Sequence, residues 1–463
     1  MNAPLLRISN SLLLVVVSIF SLFGQKADTD LISEPKVDTS YFHHKIGLIE
    51  NFPLYIPKGN TVYIDPTVND NDLQNGTVTH PYNSFSDFNF VTNYTYAIKR
   101  GTTINFERLD INKDGITICS YGTSDQRPVL QSTRINNNAI YINGQGASNI
   151  TIRDVEVYAP QARSCVRFGS KGDNLKLINC NLHDSYWGFR SIDATNVQVL
   201  NCEIHSVNDD GMFVQYCENV EISNCYVHDV NKNWISPSTP ETEAAGDGIQ
   251  LDKCNHWHVH HNLIDRNNSG NKFCFISNNP EQNDGVFEFN RCIGPVANGS
   301  SVYLHDGNGI IVRYNYLDSP AGSPVYSHGN NVLIHHNIIT NIGKAIYLSK
   351  SGKIYNNVIY GFTLAFYGEN LEIANNILVP DRVQFWIFKS NKYQASNNLI
   401  AAPIPIEGIQ PGKPMFVDAP NHDFHLKTGS ACIDKGKDVN LLLDFDGKKI
   451  PRGKAPDIGV YEY

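Results

Sequence analysis

Short segments in which apolar and polar residues alternate recur along the chain, and this repeat limits the possible fold more than any other feature. Most copies follow one another after 19 to 28 residues, and one step is 38 residues long. Each segment alternates over a few positions and then stops at a turn, which is typical of a short strand and not of a helix. Each carries an asparagine near its end: Asn179, Asn201, Asn224, Asn262, Asn290, Asn315, Asn337, Asn357 and Asn376, with Asp154 in an earlier copy.

Strands that recur at this interval with one polarity can stack as the coils of a right-handed parallel β-helix, about 4.8 Å apart. We therefore predict an all-β solenoid. Asparagine tolerates left-handed backbone geometry at a tight bend, and amides one coil apart can hydrogen-bond in a ladder. We interpret the asparagine column as scaffold.

Three cysteines directly follow an asparagine of the repeat: Cys180, Cys202 and Cys225, spaced 22 and 23 residues apart. The chain has ten cysteines and no CxxC pair. Because buried cysteine packs as a small apolar residue, this spacing favours a reduced, stacked column over disulfides or a zinc site.

The two ends lack the repeat. Arg7 precedes the apolar run from Leu12 to Phe23, which favours a secretory signal and an exported, secreted or periplasmic protein. No later stretch approaches the roughly 20 apolar residues of a membrane span. We predict a signal peptide, an N-terminal leader or cap, the β-helix and a C-terminal closing segment, at residues 1–25, 26–60, 61–400 and 401–463.

Composition excludes some partners. Lys and Arg number 37 against 46 Asp and Glu, which gives a formal charge of −9, and 41% of residues are hydrophobic. A mildly acidic globular chain has no general attraction to nucleic acid or anionic membrane. We expect a monomer that binds neither.

Three stretches resemble the secreted right-handed β-helix proteins of the pectate-lyase-like superfamily, especially those of polysaccharide-degrading Bacteroidetes. They are VYIDPTVNDNDLQNGTVTHPYNSFSDF (62 to 88), GITICSYGTSDQRPVL (115 to 130) and the closing DFHLKTGSACIDKG with DFDGKKIPRGKAPDIGVYEY. The resemblance implies a polysaccharide as partner. It does not fix the chemistry, because the superfamily includes lyases, hydrolases, epimerases and non-catalytic adhesins.

The longest interval of the repeat indicates where a binding site is expected. Its surplus residues lie in VNKNWISPSTPETEAAGDG (230 to 248), and such insertions tend to wall a binding groove. DDGMFVQYC and GDGIQLDKC share their spacing, so we expect Asp210 and Asp247 on consecutive coils and Lys272 on the next. Arg190, displaced by about two positions, is expected on the same side.

One hypothesis is a lyase that cleaves a uronic-acid polysaccharide by β-elimination, which needs a base and a cation beside the sugar carboxylate. Lys272 is the candidate base and Arg190 the carboxylate partner, with Asp210 and Asp247 as further catalytic candidates. Two nearby carboxylates raise a lysine pKa, so this hypothesis needs calcium or another base, His305 or His328. The calcium ligands would be Asp209, Asp210 and Asp247.

Other hypotheses stay open. Asp209 or Asp210 with Asp247 could act as the acid and base of a glycoside hydrolase. An epimerase shares the proton abstraction, and a non-catalytic carbohydrate-binding or adhesion solenoid needs only aromatic residues such as Trp187 and Trp234. We expect the histidines of the strands to be exposed and not metal ligands: His256, His258, His260, His261, His335 and His336.

Overall fold

The structure is a computed structural model. The residues it describes belong to the unit 38–463 and are 40, 42, 45–69, 73–142, 147–231, 246–267, 273–278, 284–294, 299–318, 322–341, 344, 346–381, 386–389, 392–404 and 406–463. The predicted signal peptide, Trp234 and Lys272 lie outside them. Over the described ranges, no helix has the length and apolar character that a membrane span requires.

Three parallel sheets, which we call A, B and C, wind around one core, and the chain visits them in that order in each coil. The strands of sheet A are Thr61–Ile64, Thr95–Lys99, Thr117–Tyr121, Ile150–Arg153, Asp173–Ile178, Thr195–Leu200, Glu218–Ser223, Asn255–His260, Val286–Glu288, Ile311–Arg313, Val332–His335, Gly352–Tyr355, Leu371–Ala374 and Tyr393–Ser396.

Sheet B follows sheet A after a tight corner. Its strands are Thr103–Phe106, Val129–Ser132, Glu156–Tyr158, Asn181–His183, Glu203–Val207, Tyr226–Val230, Leu263–Asp265, Arg291–Ile293, Tyr316–Asp318, Ile338–Thr340, Val358–Phe362, Ile377–Pro380, Asn398–Ile400 and Ile409–Pro411.

Sheet C completes each coil. Its strands are Leu109–Ile111, Asn138–Ile142, Ser164–Phe168, Trp187–Ile192, Met212–Gln215, Ile249–Asp252, Phe273–Asn278, Ser300–Leu304, Ser323–Ser327, Ile346–Leu348, Leu364–Gly368 and Trp386–Lys389. Beyond the coils, Phe416–Asp418 pairs antiparallel with Asp423–Leu426. Two 3-10 turns lie at Phe85–Asp87 and Ala419–Asn421.

Alternation along each strand builds the core, since apolar residues at one register position stack on their counterparts one coil away. Leu175, Val197 and Val220 are such a column in sheet A, each at most 2% exposed. Most of the buried apolar residues form one cluster, which extends from Ile64 to Ile409. The predicted all-β parallel solenoid is confirmed.

The asparagines of the repeat occupy two adjacent columns at the corner between sheets A and B, not one. In the first half of the helix Asn179, Asn201 and Asn224 hold the left-handed bend, with φ between 52° and 54°. From the next coil onward His261, Phe289, Tyr314 and later residues take the bend, and the asparagine moves one residue along, into the interior. This inner column is Asn262, Asn290, Asn315, Asn337, Asn357, Asn376 and Asn398.

In the first half, cysteine fills the inner column instead. Cys180, Cys202 and Cys225 are fully buried, and all ten cysteines are unpaired and buried. The prediction of a reduced, stacked column is confirmed. A cysteine thiol and an asparagine amide are therefore alternatives at the same small, buried position inside the bend.

The segments before and after the coils pack along this same corner. Asn224 donates its amide to the carbonyl of Lys45, and Asn201 accepts the N–H of Ile49. Farther along, Asn375 donates to the carbonyl of Lys437 and accepts the N–H of the same residue. The closing segment also packs on the outer face of sheet B, where Phe424 joins Val358 in a second apolar cluster.

This covering layer overturns one expectation about the histidines. His260, His261, His335 and His336 are at most 3% exposed, and only His256 and His258 of the six have substantial exposure. Phe42 of the leading segment packs edge-on against Phe289 and Tyr314, next to these histidines. The contacts given above for both segments lie at this corner and on the outer face of sheet B, and none of them involves sheet C.

Candidate functional site on the outer face of sheet C

One outward position of sheet C can be followed from coil to coil, because the strands keep strict register. We call it the outer column. Its polar and aromatic side chains alternate with core residues such as Val166 and Phe189. The column consists of Asp110, Tyr141, Arg167, Arg190, Phe213, Gln250, Ile276, Tyr303, Tyr326, Tyr347, Tyr367 and Lys389.

Near its beginning the column carries cations that lie over aromatic rings. The Arg190 guanidinium is 4.4 Å from the ring centre of Trp187 and 5.3 Å from that of Phe213. Arg163 lies 5.0 Å from the ring centre of Trp187, and Arg167 lies 5.3 Å from that of Tyr141. We call this group the arginine patch: Arg163, Arg167, Arg190, Tyr141, Trp187 and Phe213.

The patch has more positive charge than its surroundings neutralise. Among the described residues, no carboxylate lies within ion-pair distance of Arg163, Arg167 or Arg190. Burial and then the charges of Arg167 and Arg163 lower the pKa of Arg190 to about 10, so it stays charged at neutral pH. The Nε atoms of Arg167 and Arg190 and the indole N–H of Trp187, a residue only 9% exposed, have no hydrogen-bond partner in the described part of the chain.

Farther along the same column, tyrosines surround a pair of histidines. The His328 ring centre lies 6.1 Å from that of His305, 5.2 Å from Tyr326 and 5.7 Å from Tyr347. Tyr303 lies 6.1 Å from His305 and 6.4 Å from His328. We call these five residues the tyrosine–histidine patch.

Hydrogen bonds and charges set the state of this patch. His328 Nδ1 lies 2.9 Å from the Ser349 hydroxyl, and Asp306 contacts both His305 at 3.3 Å and Lys350 at 2.8 Å. Burial and then the neighbouring His305 lower the pKa of His328. Burial raises the pKa of Tyr303, so its phenol stays protonated at neutral pH. The patch thus combines a proton acceptor with a proton donor.

The structure places Asp210 and Asp247 on consecutive coils, as the sequence spacing predicted, but it buries both to 4% exposure. The Asp247 N–H donates to Asp210 Oδ1 at 2.8 Å, and the Phe273 N–H donates to Asp247 Oδ1 at 2.9 Å. Phe273 therefore follows Asp247 in this column, while Lys272 lies outside the described residues. Trp187 precedes Asp210 in this column, and Arg190 is displaced from it by three positions, not about two.

The two carboxylates accept hydrogen bonds that space the coils. Burial, followed by the charges of Asp209 and Asp247, raises the pKa of Asp210 well above its ordinary value. The described residues contain no group of three His, Cys, Asp or Glu side chains able to hold a metal ion. Calcium binding by Asp209, Asp210 and Asp247 stays a prediction. Their catalytic role stays a prediction.

Comparison with known proteins agrees with this fold. The sequence matches the family described as "Right handed beta helix region" over residues 138–294. The chain is a right-handed parallel β-helix protein. A search of curated proteins finds no match.

Among solved structures, this β-helix protein is similar to the A-module of the Azotobacter vinelandii mannuronan C-5 epimerase AlgE4. The TM-score is 0.51 at 13% identity, over 65% of this chain and 91% of that one. It is also similar to pectate lyase Pel9A, with TM-score 0.46, 14% identity and coverage of 88% and 97%. A third similar structure is the GH136 lacto-N-biosidase of Eubacterium ramulus, with TM-score 0.46 and 14% identity over 68% of each chain. At these identities the likeness is one of fold.

The sequence reasoning found part of this face and missed the rest. It named Arg190, Trp187, His305 and His328, all of which lie on or beside the outer column. It missed Arg163, Arg167 and the tyrosines, although their signal is present in the sequence. Each tyrosine is the third residue of a similar five-residue segment: SVYLH, PVYSH, AIYLS and AFYGE, beginning at residues 301, 324, 345 and 365.

Proposed function

We propose that the protein is an exported carbohydrate-active enzyme that cleaves an acidic, uronic-acid polysaccharide by β-elimination along the outer face of sheet C. The observation that carries the proposal is the arginine patch, with three guanidinium groups that form no ion pair with a described carboxylate. Guanidinium groups donate paired hydrogen bonds to carboxylates, and aromatic rings suit the apolar face of a sugar. A chain of acidic sugars provides both partners.

The tyrosine–histidine patch supplies the proton transfers. With its Nδ1 proton donated to Ser349, His328 has a lone pair on Nε2 and accepts the proton on the carbon next to the sugar carboxylate. The bond from the adjacent carbon to the linking oxygen breaks, and a carbon–carbon double bond forms. Tyr303 gives its phenol proton to the departing oxygen. Proton exchange with solvent restores both groups, and Lys350, held by Asp306, favours the negative charge that develops.

The test is a screen of the purified protein against pectate, alginate and glycosaminoglycans, with ultraviolet absorbance and reducing ends measured together. Elimination raises both signals, because each cut forms an unsaturated end. His328→Gln should lower kcat by about 10²- to 10⁴-fold, the range for a lost general base. His80→Gln, at an exposed histidine outside sheet C, is the matched control.

Other outcomes identify the alternatives. Reducing ends without absorbance indicate a hydrolase, and altered sugar composition without cleavage indicates an epimerase. Retarded migration in a polysaccharide gel with no product at all indicates a binding protein. Full activity of both His328→Gln and Tyr303→Phe would reject the proposed catalytic centre.

A further inference from the structure

The two patches lie on one column but far apart. From Arg190 the outer column passes through Phe213, Gln250 and Ile276 before it reaches Tyr303. Neighbouring parallel strands are about 4.8 Å apart, so four steps separate the patches by about 19 Å along the helix axis. A mono- or disaccharide is too short to touch both, whereas a longer chain reaches both.

The surface between the patches suits an extended chain. Gln250 and Ile276 continue the outer column, in which Ile276 is only 5% exposed, and Gln215, Asp252 and Asn278 form the adjacent column. The carboxylate among these five residues, Asp252, accepts a hydrogen bond from the Gln250 amide at 3.0 Å. This stretch therefore offers hydrogen-bonding groups and little charge, and it does not repel a polyanion as a row of carboxylates would.

The arginine patch itself is built to receive an anion. Trp187 is buried beside two guanidinium groups, and its indole N–H has no partner among the described residues. Arg163 is exposed and Arg167 and Arg190 are half-buried. Holding these cations beside one another without counter-ions is unfavourable, and a bound carboxylate relieves the repulsion. The patch has no group suited to accept a proton, since arginine remains protonated.

We propose that the arginine patch is a remote anchoring subsite, which holds an acidic group of the same chain whose linkage is cut at the tyrosine–histidine patch. The inference rests on the proposed function and adds to it that the substrate is a long acidic chain, cut at an internal linkage. Binding energy from the anchor is available only to chains that span about four coils.

The experiment compares Arg167→Gln with the unmodified protein on a length series of oligosaccharides prepared from the polysaccharide that the screen identifies. For the unmodified protein, kcat/KM should rise steeply once the oligosaccharide is long enough to reach both patches. In the variant, the ratio of kcat/KM for long chains to that for disaccharides should fall at least tenfold, mainly through KM. Arg452→Gln, at an exposed arginine of the closing segment, is the matched control.

The same series distinguishes the two proposals. If the protein cuts acidic chains but the length ratio is unchanged in Arg167→Gln, the anchor is rejected and the proposed function stands. If nothing is cut, the proposed function fails. Affinity electrophoresis with the acidic polysaccharides of the screen and their short fragments still tests the anchor. Binding that does not increase with length, or that is equal in the variant, overturns it.

Discussion

The inner asparagine column and the outer column of sheet C are built in the same way, since each repeats one position coil after coil. They differ in how their polar groups are satisfied. Asn315 donates its amide to the carbonyls of Phe287 and Arg313 and to Asn337 Oδ1, and it accepts N–H groups of Asn290. Arg167, Arg190 and Trp187 keep nitrogen atoms without partners in the described residues.

The difference shows how one repeat makes both scaffold and site. A polar column that faces the interior must satisfy itself, because an unpaired buried polar group is costly. A polar column that faces outward can leave the charged ends of its side chains open for a ligand. Hydrogen bonding between the members of a column, from coil to coil, is therefore a better sign of a structural role than the type of residue that repeats.

The largest expected effect is on the inner column. Asn315→Ala removes an amide that is fully buried and leaves the carbonyls of Phe287 and Arg313 without it, so we expect a loss of about 3 to 5 kcal/mol in the free energy of unfolding. Urea denaturation measures it. Asn219→Gly, at an exposed left-handed bend, is the control and should cost less than about 1 kcal/mol. Equal losses would remove the contrast between the columns.

The outer column should respond in the opposite way. Arg190→Gln should weaken binding of an acidic polysaccharide about tenfold or more, since a hydrogen bond to a charged group contributes about 1.5–3 kcal/mol. Stability should not fall, because a cation repelled by Arg163 and Arg167 is removed. Affinity electrophoresis and thermal unfolding measure the two effects, and added salt should weaken binding. If Arg190→Gln lowered stability but left binding of the polysaccharide unchanged, Arg190 would have a structural role and not a binding role.

A third column, on sheet B, shares a feature with each of the other two. Its histidine rings face outward, as in the outer column, but they have hydrogen-bond partners, as in the inner column. His183, His205 and His228 stack on sheet B with ring centres 4.9 and 5.0 Å apart. Burial lowers the pKa of His183, but hydrogen bonds to Glu156 and Asp184 outweigh it, and the net pKa is raised. The resulting stabilisation is fully present below the unfolded pKa, about 6.5, and is lost as pH rises through the folded value.

The measurement is the unfolding free energy of His183→Gln between pH 5 and pH 8. The variant should be less stable than the unmodified protein by about 1 kcal/mol at the acidic end, and the difference should disappear at the alkaline end. A pH-independent difference would mean that the ring contributes packing alone.

The smallest effect is expected at Asp247, where an amide can replace a carboxylate as acceptor of the Phe273 N–H. Asp247→Asn should change stability by less than about 1 kcal/mol, since repulsion from Asp210 is removed while the hydrogen bond is kept. Turnover should also persist if the residue only spaces the coils. Loss of turnover in a stable variant would instead support the catalytic role that the sequence spacing suggested.

The order of the residues predicts much of the fold and part of the candidate site. The repeat predicted the coils, and the spacing of DDG and GDG predicted that Asp210 and Asp247 would be stacked. The spacing could not say which way they face, because a shift of one residue along a strand moves a side chain to the other face. The same single-residue shift explains why one asparagine column proved to be two.

The sequence by itself determined the parallel β-helix, since short strands at a nearly constant interval can bury their apolar faces only by stacking on one another. It also determined the reduced cysteine column. Only the tertiary structure decided that the leading and closing segments cover the corner and sheet B, that four histidines are buried beneath them, and that the open cations lie with the tyrosines on sheet C. These outcomes depend on contacts between residues far apart in the chain, which a local pattern does not record.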